Sequence, residues 1–325
     1  MPASSRWGIS RSSPGLKSPR LMAYAVVMRE PIKPGSGEYP TVLSMLPQAG
    51  DIGVEQLTSK LVSLFQSPQY EPPLLPGVVL ELMTISWKPD VTATEIVDLV
   101  GRDPLLAGQL LKLAQSPLYR GSQAVRSLHD AVVRLGLRRV SDLFCRAALE
   151  MRVFRAAGYE KDMALLRSHS AFTAELTRVV CKETSVPDDY AFLCGLLHDV
   201  GIAACILALS EFAQSGPGVS LDDAWPAVRE LHEWGSEFLG KTWGLPGDIT
   251  RVLGNHHGEP SDASDKMVLA AVRLADAVAS EVGYGFHTEV NEGDAAVAAL
   301  ALGLDRNSLQ DLRAKAAELS VAFRT

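Results

Sequence analysis

The chain has 325 residues, enough for one large domain or two smaller ones with a substantial core, and its 47% hydrophobic and 21% charged content is that of an ordinary globular protein. A net charge of −7 argues against the whole chain acting as a nucleic-acid binder. Cys145, Cys181, Cys194 and Cys205 sit singly in apolar periodic segments without zinc-ribbon or redox spacing, so they read as reduced core thiols and predict a cytoplasmic protein.

Residues 1–50 are rich in Ser, Pro, Gly and Arg and read as a flexible leader, with Met22 and Met28 in frame as alternative starts. The apolar stretch Leu21–Met28 is short, closes on Arg29-Glu30-Pro31 and lacks a small-residue cleavage site, which argues against export. No apolar run is expected to reach the roughly 20 residues of a membrane helix. Leu57, Leu61, Val62 and Phe65 predict an amphipathic helix over 54–66, within an N-terminal helical unit at 51–70.

From Pro72 onward the pattern is helical. Val78, Val79, Leu82 and Met83 form one stripe, and Thr92-Ala93-Thr94-Glu95 is a capping box that opens the next helix. Asp103-Pro104 is an N-cap followed by proline at the first helical position, and Ser127 caps a helix ending at Gly136. A longer helix is expected over 137–157. Arg120, Arg126, Arg134, Arg138, Arg139, Arg146, Arg152 and Arg155 concentrate here; they read either as a docking face for an anionic partner or as a solvated helix surface, and the missing aromatics weigh against nucleic acid. Alternating β-branched runs with hairpin turns are absent, so the predicted class is all-α, a compact array of short helices.

The second half holds the chemistry. Helices are expected over 161–183 with His169, through the oily run Ala191–Ile202 with His198-Asp199, around Leu231 and His232, up to Asn255-His256-His257, and over 270–282 with Asp276. Two amphipathic helices, about 292–302 and 308–323, close the chain. A His-Asp pair in an apolar helix is costly to bury unless it is hydrogen-bonded or bound to a cation. Imidazole and carboxylate are metal ligands, and helical bundles build metal sites from side chains on several helices. Taken singly, each histidine reads first as a hydrogen-bonded core residue; the ordered set is what raises a metal.

The order His169, His198-Asp199, Asp276 is similar to the H…HD…D signature of the HD superfamily of metal-dependent phosphohydrolases. Residues 74–290 more closely resemble the HDOD family (HD-related output domain) of bacterial signalling proteins. The match runs through Leu74-Leu75-Pro76-Gly77-Val78, Gly101-Arg102-Asp103-Pro104-Leu105-Leu106, Leu110–Ser116, Leu128–Leu137, Gly195–Gly201, Trp243-Gly244-Leu245-Pro246 and Asn255-His256-His257. The resemblance implies an HDOD domain over 71–290, divided into an N-terminal helical half at 71–158 and an HD-like half at 159–290, with residues 291–325 packed on the latter.

By resemblance, His169, His198, Asp199 and Asp276 would hold one divalent ion (Fe, Mn, Mg or Zn). His232, His256 and His257 resemble the further ligands of two-metal HD-GYP relatives, with Asp199 as the bridge and the catalytic candidate should the site be active. This chain departs from those enzymes. Their lysine three residues after the Asp is Ile202, their Gly-Tyr-Pro element reads Gly258-Glu259-Pro260, and a carboxylate one turn before the first histidine is Leu165. The resemblance therefore implies a signalling output module that engages a protein partner or a nucleotide or cyclic-dinucleotide ligand. The alternative it leaves is a metal-dependent phosphohydrolase acting on a nucleotide or phosphoester.

Overall fold

The computed structural model describes residues 53–323, apart from short gaps at 87, 89, 103, 117–118, 120–124, 188–189, 217, 259–264 and 288–291. The expected leader, Asp103 and Glu259-Pro260 lie outside the described residues. Among those described there is no strand, as the periodicity requires.

The first helices are α1 (Val54–Phe65), α2 (Gly77–Ser86), α3 (Ala93–Gly101), α4 (Pro104–Ala114), α5 (Leu128–Leu135) and α6 (Leu137–Arg152). Thr92 and Ser127 each close a reciprocal capping box, with Glu95 and Asp130. Gly136, at φ +82°, is the joint between α5 and α6, a backbone geometry that costs glycine little. Helix α6 stops at Arg152, about a turn earlier than expected: the Phe154 N–H reaches back to Leu149 O, and Gly158 at φ +82° turns the chain.

The second half comprises α7 (Glu160–Glu183), α8 (Ala191–Leu197), α9 (Val200–Ser215), α10 (Leu221–Thr242), α11 (Gly247–Leu253) and α12 (Asp265–Ala279). A π-helical turn (Ser280–Tyr284), α13 (Glu292–Ala301) and α14 (Arg306–Phe323) complete it. Helices α7, α8 and α12 pack together on one side of the centre, and α9, α10 and α11 enclose the other. Where the sequence predicted one continuous helix through Ala191–Ile202, the structure breaks it at His198-Asp199. Adjacent residues on an unbroken helix diverge by about 100°, so the break is what lets both side chains face one centre.

Residues 191–214 are apolar enough and long enough to pass for a membrane span, contrary to the expectation that no run would be, but 94% of the 18-residue stretch that qualifies is buried inside the protein. It is the core of the helical array. The two halves are tied by Arg178 of α7, which pairs with Asp142 of α6 and lies 4.1 Å over the Phe192 ring of α8. Helix α1 sits on α10 through Phe65 and Tyr70 against Trp234 and Phe238, and Trp243 Nε1–H donates to Pro73 O at 2.8 Å. Part of the arginine stripe serves the fold: Arg139 donates to Tyr119 Oη at 3.2 Å and Arg146 lies 5.6 Å over Phe323.

Candidate metal centre

The segment Gly195-Leu196-Leu197-His198-Asp199-Val200-Gly201 is held by close helix crossings at both ends. A Cβ on Gly195 would lie 2.5 Å from Thr177 Oγ1 and 3.0 Å from Ala174 Cα, so α8 can approach α7 only with glycine there. A Cβ on Gly201 would lie 2.5 Å from Ser236 N and closer still to His232 O, which makes the α9–α10 crossing a backbone contact. At that crossing Ser236 Oγ donates to His198 O at 2.6 Å and accepts the Gly201 N–H at 2.9 Å. The glycines were visible in the sequence; Ser236 carried no signal there.

Around this segment the structure brings all seven candidate residues together. Asp199 Oδ2 lies 3.3 Å from both His169 Nε2 and His198 Nε2. Its other oxygen, Oδ1, lies 3.3 Å from His256 Nε2 and 3.8 Å from His232 Nε2. Asp276 Oδ1 is 3.5 Å from His169 Nε2 and 3.9 Å from His198 Nε2. His257 is on the rim, exposed, with its ring 4.4 Å from that of His256 and 5.2 Å from that of His232. Two donor groups result, His169–His198–Asp199 and Asp199–His232–His256–His257, each compact enough to hold one ion.

The tautomers follow from the carbonyls. His198, His232 and His256 each turn Nδ1 to the carbonyl three residues back, Gly195, Arg229 and Leu253, at 2.7 to 2.9 Å. His169 turns Nδ1 to Tyr284 O at 2.7 Å. A carbonyl only accepts, so each Nδ1 carries the hydrogen, and in the neutral ring each Nε2 presents a lone pair to the centre. Lone pairs therefore confront one another: His169 Nε2 and His198 Nε2 are 3.2 Å apart, and His256 Nε2 faces a carboxylate oxygen. Asp199 Oδ1, His256 Nε2 and Asp276 Oδ1 are buried without a hydrogen-bond partner. Orphaned acceptors converging on one point are what a cation or a proton would satisfy, so the residues present fit a metal.

Two residues outside the sequence-predicted set shape the rim. Glu233 Oε1 accepts the His257 backbone N–H at 2.7 Å, and Arg273 Nε donates to His256 O at 2.5 Å. Neither follows from helical periodicity, because both act through backbone atoms of a turn.

Without a metal, a proton on His198 is the charge that the centre favours. Burial pulls the His198 imidazolium down, but the Asp199 carboxylate, aided by Asp276, outweighs it and raises the group from 6.5 to about 9. Burial alone would raise Asp199; the charge of His198, with the close contacts of His169 and His198, holds it well below its usual range. Burial keeps His232 below its ordinary value despite Asp199. The raised His198 stabilises the metal-free fold fully below pH 6.5 and loses that contribution as pH rises through about 9. A metal must displace this proton, so apparent affinity is expected to rise about tenfold per pH unit from neutrality toward 9 and to flatten above. Metal titration calorimetry in buffers of different ionisation enthalpy checks this; affinity unchanged across that range, with no proton released, would contradict it.

Comparison with known proteins agrees with this architecture. A family model for the HDOD domain matches residues 73–259. An uncharacterized protein of Treponema pallidum (strain Nichols) is 25% identical over 251 residues, 74% of this chain; the chain spans about half (48%) of that curated relative. The crystal structure of an HDOD domain protein of unknown function from Geobacter sulfurreducens superposes with a TM-score of 0.64 at 24% identity, over 84% of this chain and 97% of that one. A protein of Shewanella amazonensis SB2B, provisionally named a metal-dependent phosphohydrolase, superposes with a TM-score of 0.60 at 18% identity, over 81% and 99%.

Proposed function

The chain belongs to the HDOD domain family, and on that footing we propose that it is a regulatory output module of signal transduction whose buried His/Asp centre holds a divalent metal for binding rather than for turnover. The two donor groups would take one ion each: His169, His198, Asp199 and Asp276 on one side, and His232, His256 and His257, with Asp199 shared, on the other. A metal there would supply Lewis acidity and lower the pKa of bound water. The chain's own residues orient the donors, keep water from their inner faces and neutralise one another's charge.

The observation that carries the non-catalytic reading is Ile202. It stands where HD-GYP enzymes place a phosphate-facing lysine, and it is buried at 2% exposure. Without that cation, nothing at this position can orient a phosphoryl group or stabilise its developing charge. The donors are also closed in: His198 is fully buried, and His169 and His256 are each 2% exposed. We assign the output surface to the helical half before residue 159 and the metal centre to the half that follows, with α13 and α14 packed against it.

The test is elemental analysis of protein purified without chelators, combined with phosphodiester and nucleotide hydrolysis assays. One or two ions per chain, and no turnover above that of His198→Ala, is the expected result. Metal-dependent turnover that His198→Ala abolishes would overturn the non-catalytic reading. It would favour the second reading, a phosphohydrolase, which the shared position of Asp199 between two donor groups supports.

A further inference from the structure

Three of the four histidines with a buried Nε2 orient their rings through carbonyls of their own helical turn, and such contacts form wherever the turn forms. His169 is the exception. Its Nδ1 hydrogen goes to Tyr284 O, 115 residues away, on the π-helical turn that follows α12. That turn is kinked: Gly283 sits at φ +87° inside it, a conformation regular helix does not adopt.

Helix α14 packs on it. Arg313 grips Glu281 through two hydrogen bonds, Nε to Oε2 at 2.7 Å and Nη2 to Oε1 at 2.6 Å. Tyr284 stacks on Phe172 of α7 with centroids 4.0 Å apart and planes 8° from parallel, and meets Phe323 of α14 edge-on at 5.9 Å. Its hydroxyl donates to Ser320 O at 3.3 Å. Phe172 itself meets Phe323 at 5.3 Å, three residues along α7 from His169. The family match ends at residue 259, so Glu281, Tyr284, Arg313, Ser320 and Phe323 lie beyond it, while His169 and Phe172 lie within.

We infer that Glu281, Arg313 and Tyr284 are positioning residues for the metal centre: docking of α14 holds the π-turn carbonyl against His169 and so sets the metal affinity of the His169–His198–Asp199–Asp276 side. The inference rests on the metal-binding reading above. A bidentate arginine–carboxylate pair is directional, so it fixes the turn's orientation as well as its distance. A carbonyl that accepts from a ligating imidazole holds its ring angle and tautomer, and losing such a partner typically weakens metal binding about 10- to 100-fold. Anything that lifts α14 would thereby loosen one donor group while leaving the locally oriented His232 and His256 in place.

The experiment uses the full chain and Co(II) as probe, with affinity read by chelator competition and ligand geometry by visible absorption. Glu281→Gln and Arg313→Gln are expected to weaken one class of Co(II) by about 10- to 100-fold and to change its absorption band. The reciprocal swap, Glu281→Arg with Arg313→Glu, should restore both. Arg102→Gln, which removes an exposed ion pair with Glu81 elsewhere, should change neither. Variants that melt at lower temperature but bind Co(II) with unchanged affinity and spectrum would overturn the inference, leaving the pair a fold contact only. Wild-type protein that binds no Co(II) would overturn the metal reading itself, a separate failure.

Discussion

Gly201→Ala is expected to destabilise the protein by about 4 kcal/mol or more, at the upper end of single substitutions. The added methyl meets no movable side chain: it would lie 2.5 Å from Ser236 N, 2.9 Å from Gly235 C and closest of all to His232 O, all backbone. Relief requires α9 to lift from α10, and that breaks the Ser236 hydrogen bonds to Gly201 N and His198 O. Overpacking against flexible side chains costs about 1–3 kcal/mol, and a backbone clash exceeds it. Against a total stability of about 5–15 kcal/mol, the variant should melt about 10 °C lower or accumulate as insoluble protein. Thermal denaturation followed by circular dichroism decides it; a melting point within about 2 °C of wild type would show that the crossing is looser than the structure has it.

Asp199→Asn is expected to empty both halves of the centre at once. The amide keeps the shape of the carboxylate but not its charge, and its nitrogen turns two hydrogens toward imidazoles whose lone pairs already point inward. Oδ2 serves His169 and His198 while Oδ1 serves His232 and His256, so among the described residues Asp199 is the one that belongs to both donor groups. Affinity should fall by more than about 100-fold, beyond the range for residues that only support a ligand. His169→Ala, by contrast, should cost the ion on its own side and spare the other. Metal stoichiometry by mass spectrometry separates these outcomes, and an Asn variant that retains one ion would show that the two donor groups do not share Asp199.

Much of the helix map was readable in the chain before it folded. Thr92-Glu95 and Ser127 marked their helix starts because capping is local chemistry within four residues. Helix α14 fell within two residues of expectation for the same reason, its apolar spacing being a property of the segment itself. Among the ends that missed were α6, stopping at Arg152, and α12, which begins at Asp265 instead of 270 and gives way at Ala279 to the π-turn instead of running to 282.

The seven candidate residues were likewise nameable from their order, their residue types and the resemblance, since metal chemistry restricts ligands to a few side chains. Their tautomers, the sharing of Asp199 and the supporting cast of Ser236, Glu233, Arg273 and Tyr284 were not. Those depend on backbone carbonyls, amides and helix crossings, and a backbone atom looks the same at every position of a sequence. Composition and periodicity made this chain an all-α protein with a His/Asp cluster. The broken helix at His198-Asp199, which turns neighbouring residues toward one point, came from the packing of Gly195 against α7 and Gly201 against α10.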